Sequence, residues 1–425
     1  MTLPGLMQET PLTLRGIFDR MRTVHADARI VDPQGQRTYG ELAERVLRLC
    51  RVLTDDLGVR PGDRVASFAV NSARHLELYW AVPLVGAVLH TVNIRLYDEQ
   101  IAYLLDHAHD RVVFADPDLL DQVGALAAAA PSVERTIALG DEYDSLLAAA
   151  APLHPDHLLE VPENAAFGLC YTSGTTGMPK GVLHSHRAMY LHAMGTCMAD
   201  SIGLREEDRV LPIVPMFHAF AWGLPYAAAL TGAELLLHGA DTSPEAVGAL
   251  IATERATVAA AVPTIWKGLL PLLERGALDS SSLRLVFVGG SASPRPLIEA
   301  YDDLGIDYLN TGGPHYRRYS EEMMGGVPDN ASDLYHARSP LNFIAGIRGR
   351  LLIVHGLGDT NVSPLNTHAA CAALDAAGVP YELLLFPDEG HGIWKRDNRR
   401  RLFLRLARFF EAAFREQRPA ASAAE

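Results

Sequence analysis

Lysine is nearly missing from this chain of 425 residues: Lys180, Lys267 and Lys395 are the whole supply. Any chemistry that needs an ammonium group must use one of these three. Cysteine is also scarce. Cys50, Cys170, Cys197 and Cys371 stand far apart and form no CxxC or Cys/His pattern, so neither a zinc ribbon nor a disulfide-stapled scaffold is expected. Free thiols in a reducing cytoplasm are the expectation. Long apolar runs are missing too. The most apolar stretch, Tyr79 to Leu89, falls far short of the ~20 residues of a membrane helix, so no membrane span is expected. The start, Met1-Thr2-Leu3-Pro4-Gly5, has no basic stretch ahead of an apolar one, and no signal peptide is expected. Positive charge is in deficit, with a net charge of −14. That argues against nucleic acid or an anionic membrane as a general partner, while leaving room for a local basic site.

What is present reads as a soluble globular protein: 48% of residues are apolar and 21% charged. The length predicts two or more domains. Residues 14–59 read as helical segments around the short Arg37-Thr38-Tyr39 entry, because Leu42, Val46, Leu49 and Val52 recur at helical spacing. Strands are predicted at Val65–Val70, Ala87–Thr91 and Val112–Ala115, with helices around His75–Val85 and Glu99–Asp106 between them. The alanine-rich stretch 120–160 reads as helix plus surface connection. Strands resume near Ala166 and at Val210–Val214, Glu234–Leu237, Val258–Ala261 and Leu285–Val288. This alternation predicts an α/β fold with a largely parallel sheet. Beyond a Gly/Pro-rich stretch come two more strong strands, Arg350–His355 and Tyr381–Phe386, with helices at 366–377 and 397–416. These two strands are expected to join the earlier sheet edge past Leu285–Val288; if they stay separate, apolar edges remain exposed and aggregation should follow.

The most informative segment is Tyr171-Thr172-Ser173-Gly174-Thr175-Thr176-Gly177-Met178-Pro179-Lys180-Gly181, set between the apolar strand Ala166–Cys170 and the short strand Val182–His184. Small residues let the backbone approach a polyphosphate, and successive amides form an anion-binding nest. Hydroxyls can donate to phosphate oxygens, and Lys180 can offset their charge. A flexible Ser/Thr/Gly linker has the same composition, but linkers are seldom wedged between two apolar strands. The spacing is not that of the Walker A loop, because Pro179 stands where its glycine would be.

With this loop the chain resembles the adenylate-forming fatty-acyl-CoA ligases, over about residues 10–305. Leu89-His90-Thr91-Val92-Asn93-Ile94-Arg95-Leu96, Val214-Pro215-Met216-Phe217-His218, Trp222-Gly223-Leu224-Pro225-Tyr226, Ala261-Val262-Pro263-Thr264-Ile265-Trp266 and Val288-Gly289-Gly290-Ser291-Ala292 resemble further family segments in the same order. The resemblance implies that ATP, with Mg2+, and a fatty acid give an acyl-adenylate and pyrophosphate, after which CoA takes the acyl group. It implies that Thr172, Ser173, Gly174, Thr175, Thr176, Gly177 and Lys180 hold phosphates, and that His218 sits beside the reacting carboxylate. Gly289, Gly290 and Ser291 would form backbone around the nucleotide and acyl channel, and Trp222 would wall the acyl tunnel. The family's next motif, Tyr-Gly-x-Thr-Glu, is replaced by Asn310-Thr311-Gly312-Gly313-Pro314-His315. The family's ribose-binding aspartate, hinge and lysine-bearing C-terminal domain have no counterpart here. An adenylation that depends on preorganised charge is expected to suffer.

A second constellation follows. Leu351–Val354 leads into His355-Gly356-Leu357-Gly358-Asp359, and Tyr381–Phe386 leads into Pro387-Asp388-Glu389-Gly390-His391. An acid and a histidine on loops after consecutive strands are the last two members of the hydrolase order Ser…Asp…His. Residues 315–415 resemble the C-terminal part of prolyl-oligopeptidase-type serine hydrolases. By that resemblance Asp359 orients His391, which activates a serine. No Gly-x-Ser-x-Gly elbow exists in the chain. The nearest approach, Gly289-Gly290-Ser291-Ala292-Ser293, has serine at the last position and is already accounted for by the ligase resemblance.

The reading is therefore an incomplete ligase-like domain over 1–306 joined to an incomplete α/β-hydrolase segment over 307–417, with a tail at 418–425. Three functions remain open: an impaired ATP-dependent fatty-acyl ligase, a serine hydrolase, and a catalytically silent fusion that retains nucleotide or acyl binding.

Overall fold

The computed structural model describes residues 10–172, 179–199, 201–290, 293, 295–310, 337, 339–357, 364–389, 393 and 395–416. The chain divides into two compact units, Met1–Thr311 and Gly312–Glu425.

Unit 1 is built on two sheets with helices around them. In the larger, the strands are β1 (Arg29–Asp32), β2 (Gly35–Thr38), β9 (Arg209–Pro212), β10 (Glu234–Leu236), β11 (Val258–Ala261), β12 (Leu285–Val288) and β13 (Asp307–Asn310). Their order is β13-β12-β11-β9-β10-β1-β2, and every pairing is parallel except β1 with β2. The smaller holds β3 (Arg64–Phe68), β4 (Val88–Thr91), β5 (Asp110–Ala115), β6 (Arg135–Ala138), β7 (Ala166–Thr172) and β8 (Lys180–Ser185). Its order is β6-β5-β3-β4-β7-β8, with β7 and β8 alone antiparallel. Strands such as β4 and β11 are buried at every position, as befits parallel strands covered on both faces.

The helices obey their sequences. In α1 (Leu14–Thr23), Leu14, Ile17, Phe18 and Met21 fall on one stripe and are fully buried. In α2 (Tyr39–Arg51), Thr38 and Glu41 make a reciprocal capping box, and Leu42, Val46 and Leu49 face the core. In α3 (Ala73–Leu84), Ser72 caps the N-terminus through its hydroxyl and every residue but Arg74 is buried. Buried in α3 is Glu77, whose charge is met by Arg37 Nη1 at 2.9 Å, Arg45 Nε at 2.6 Å and the Tyr143 hydroxyl at 2.5 Å. Further on come α4 (Asp98–Ala108), α5 (Leu120–Ala127), α6 (Asp141–Ala149), α7 (His186–Cys197), α8 (Leu224–Thr231), α9 (Pro244–Glu254), α10 (Pro263–Glu274) and α11 (Arg295–Asp303).

Unit 2 is small. β14 (Leu352–Gly356) and β15 (Glu382–Phe386) pair in parallel over five residues, from Leu352↔Glu382 to Gly356↔Phe386. The crossover is α12 (Pro364–Ala376), and α13 (Arg396–Glu416) follows β15. His355 on β14 bonds Thr367 of α12, tying the crossover to the strand.

Three expectations need correction. Residues 29–38 are not helical but form the β1/β2 hairpin, in which Ile30 pairs with Leu235 far along the chain. The stretch 120–160 carries an edge strand, β6, paired with β5. Finally, β14 and β15 do not continue the sheet past β12. That place is taken by β13, with Val286 opposite Tyr308, while β14 and β15 form their own two-stranded sheet.

Candidate functional site

The phosphate-type loop is delivered by a hairpin. β7 and β8 run antiparallel from Ala166↔Ser185 to Thr172↔Lys180, so the two ends of the loop are held opposite each other. Lys180 is exposed beside Thr172, and Pro179 just before it is buried. Ser173, Gly174, Thr175, Thr176 and Gly177, and the side chain of Thr172, lie outside the described residues. Ser291, Asp359 and His391 lie outside them as well, so the histidine–acid pair of unit 2 carries no geometry here.

The segment after β9 is fastened from below. Asn71, buried three residues past the end of β3, donates through Nδ2 to the carbonyls of Pro212 at 2.8 Å and Val214 at 3.0 Å. Its Oδ1 accepts from the Met216 amide at 2.7 Å. One amide side chain thus satisfies three backbone groups that a buried loop would otherwise leave unpaired. Tyr79 adds its hydroxyl to the Met216 carbonyl. His218 follows, its amide bonded to the Pro215 carbonyl at 3.1 Å. Solvent reaches His218, yet partial burial lowers its pKa, which favours the neutral imidazole.

Next comes the most unusual backbone among the described residues. Ala219, Phe220, Ala221 and Trp222 have φ of 46°, 52°, 48° and 53°, and Gly223 has 69°. Only the glycine adopts this left-handed region freely; each of the others carries a cost of roughly 1–2 kcal/mol. Packing holds the turn in place. Phe220 is 1% exposed and sits among Phe167, Tyr79 and His184, with ring centroids 5.0, 6.0 and 5.5 Å away. Gly168 on β7 leaves the room: a Cβ there would run into the Phe220 ring. His192 Nε2 donates to the Trp222 carbonyl at 2.9 Å, and the bareness of Gly223 admits the His192 ring. Backbone held in such a sparse region is typical of a binding site rather than of a passive loop.

The strained turn walls a cleft of about 880 Å³ whose lining includes Trp222, Phe220, Phe287, Gly289, Gly290 and Met189. Trp222 meets Phe287 edge-on at 5.4 Å. Gly290 has φ of 84°, and a Cβ on it would come within 3.2 Å of Val262, so this rim is bare backbone. The structure thus brings Trp222, Gly289 and Gly290 together; Lys180 and His218 are not among the described residues of this lining. Beside the cleft, Cys170 Sγ lies 3.5 Å from His184 Nε2. Burial raises the Cys170 pKa, and burial followed by the nearby His192 lowers that of His184. Both shifts favour a neutral pair, not a thiolate.

Asn71, Tyr79, Phe220 and His192 were missed in the sequence. Each works through a partner at least 30 positions away, apart from the neighbours it packs on. The one local signal was the polar pair Asn71-Ser72 at the end of an apolar strand.

Among the described residues no group of three His, Cys, Asp or Glu could hold a metal ion.

Comparison with known proteins gives two family matches. Residues 18–314 match the family described as AMP-binding enzyme, and residues 306–417 match the prolyl oligopeptidase family. The chain is 41% identical over 311 residues to a long-chain-fatty-acid–CoA ligase of Thermus thermophilus, covering 72% of this chain and 57% of that one. It is 40% identical over 330 residues to a 3-methylmercaptopropionyl-CoA ligase of Ruegeria pomeroyi, covering 73% and 60%. Among solved structures, the N-terminal domain of FACL13 from Mycobacterium tuberculosis aligns with a TM-score of 0.64 and 29% identity, over 70% of this chain and 75% of that one. The chain spans less than two thirds of the length of the curated relatives it matches.

Proposed function

Because the chain belongs to the AMP-binding enzyme family through residues 18–314, we propose that unit 1 binds ATP and a fatty acid as an acyl-CoA ligase does, with its ligation impaired. In this reading Thr172, Ser173, Gly174, Thr175, Thr176, Gly177 and Lys180 hold phosphates. His218, kept neutral, stands beside the carboxylate. Gly289, Gly290 and Ser291 give backbone to the nucleotide and acyl channel, and Trp222 walls the acyl tunnel. ATP would supply the leaving group that activates the carboxylate. The observation that carries the proposal is the hairpin register Thr172↔Lys180, which closes the loop with an exposed ammonium at its end.

What stands after residue 314 supports the impairment. The segment there matches another family, and neither remaining lysine lies in a sequence context that matches the family's adenylation lysine. Lys267 is exposed on α10, and Lys395 pairs with Asp388 at 2.6 Å. The expected outcome is weak Mg-ATP binding by isothermal titration, abolished in Lys180→Ala, with ATP–pyrophosphate exchange near background on octanoate or palmitate. Exchange at ordinary enzyme rates would overturn the impairment.

A second reading, a serine hydrolase, rests on the parallel register of β14 and β15, which sends the segments bearing Asp359 and His391 off the same sheet end. The missing serine elbow opposes it. A fluorophosphonate probe is expected to leave the protein unlabelled, as a catalytically silent fusion would be; labelling lost in His391→Ala would promote the hydrolase.

A further inference from the structure

Helix α13 has two faces with different chemistry. One is held to the two-stranded sheet. Arg405 Nη2 pairs with Glu382 at 2.6 Å, Arg401 lies 5.5 Å from the Phe386 ring, and Arg350 lies 5.8 Å from the Phe409 ring. At 100° per residue, Phe403, Ala407, Phe410 and Phe414 form a row on the side turned away from Arg405. The three phenylalanines are 57%, 50% and 64% exposed. The Phe410 and Phe414 rings stack at 6.1 Å, so the row is continuous. Arg396, Arg399 and Arg400, all exposed, lie at its N-terminal end, and the Arg399 guanidinium stands 6.0 Å from the Phe403 ring.

Three aromatic rings in a row with arginines at one end, on a helix whose other face is already used, match the composition of an interfacial helix. We propose that α13 is a docking surface for an anionic lipid bilayer, lying in the headgroup plane with Phe403, Phe410 and Phe414 inserted and the arginines on lipid phosphates. Charge decides between occupants. The helix carries seven arginines against Asp397, Glu411 and Glu416, in a chain whose net charge is −14. A second copy of the same helix would bring like charge to like charge, whereas an anionic headgroup layer complements it. Area points the same way. The three rings offer roughly 300–400 Å², under half of the ~800 Å² per partner that a stable protein interface needs. A bilayer needs no shape match. The proposal is independent of the nucleotide reading of unit 1.

The test is co-sedimentation of the full chain with vesicles. Binding is expected on phosphatidylcholine/phosphatidylglycerol vesicles and not on pure phosphatidylcholine. Phe403→Ser, Phe410→Ser and Phe414→Ser combined should reduce it by at least about tenfold, and so should Arg396→Gln, Arg399→Gln and Arg400→Gln combined. All six positions are exposed, so circular dichroism should stay unchanged. No binding by the unaltered chain, or binding untouched by either triple variant, would overturn the proposal. It would also be overturned if light scattering found a dimer that the phenylalanine variant breaks, which assigns the face to a second copy.

Discussion

The two units hide their apolar surface to very different degrees. In unit 1, helices such as α3 and strands such as β11 are buried on every side, and Trp80, Trp266, Tyr79 and Phe220 are almost wholly out of water. Among the described residues of unit 2, the buried hydrophobic side chains are Ile344, Leu374, Leu384 and Phe386. Leu341, Phe343, Leu357, Leu383, Phe403, Leu404, Phe410 and Phe414 are exposed. The two strands and two main helices among the described residues enclose little, and isolated small sheets are marginal in water. The contrast teaches that a strong strand signal reports local preference, while stability depends on how many faces are covered.

Acid should separate the units most. Burial lowers His75, His186 and His238 of unit 1 to a pKa of about 4 each. Their folded pKa lies below the unfolded value near 6.5, so the unfolded chain takes up protons first. Unit 1 therefore keeps this stability above about pH 6.5 and loses it as pH falls toward 4, by several kcal/mol in all as an order of magnitude. Calorimetry from pH 7.5 to 4.5 should show the unit 1 transition dropping steeply; a pH-independent transition would break the contrast. Next in size is Asn71→Ala, which leaves two carbonyls and one amide of residues 212–216 unpaired. It should cost about 3–5 kcal/mol, seen as a lower unit 1 midpoint with the unit 2 signal unmoved. Movement of both would mean that the units unfold together. The smallest effect is a gain. Ala219→Gly relieves one left-handed residue at a half-buried site and should stabilise unit 1 by up to about 1 kcal/mol. Loss of stability instead would show that the turn is held by more than its neighbours' packing.

Much of the fold was legible because it is local. The predicted helix around His75–Val85 is α3, and the strands at Ala87–Thr91, Val258–Ala261 and Leu285–Val288 are β4, β11 and β12 within a residue. Short polar strands were illegible. Arg29–Asp32 and Gly35–Thr38 show no apolar alternation; what makes the first a strand is pairing with Leu235 and Leu236, some 205 residues away, and the second then pairs with the first. β6 escaped for a similar reason, since only one of its four residues is buried. At the site, the loop from Thr172 to Lys180 and the Gly289-Gly290 rim were visible as composition. The left-handed turn was not, because Ala219, Phe220, Ala221 and Trp222 are residues that normally avoid that conformation.

The bare position on β7 has a consequence for how this molecule can change over generations. Gly168 is small because the tip of Phe220 occupies the volume its side chain would need. Position 168 can gain atoms only if position 220 gives them up, although the two stand 52 places apart on different elements. Inheritance at these sites is therefore paired. A lineage that altered the glycine first would pass through a clashing intermediate. One that shortened the aromatic first would pass through a hollow one, and in doing so would slacken the turn that bears Trp222.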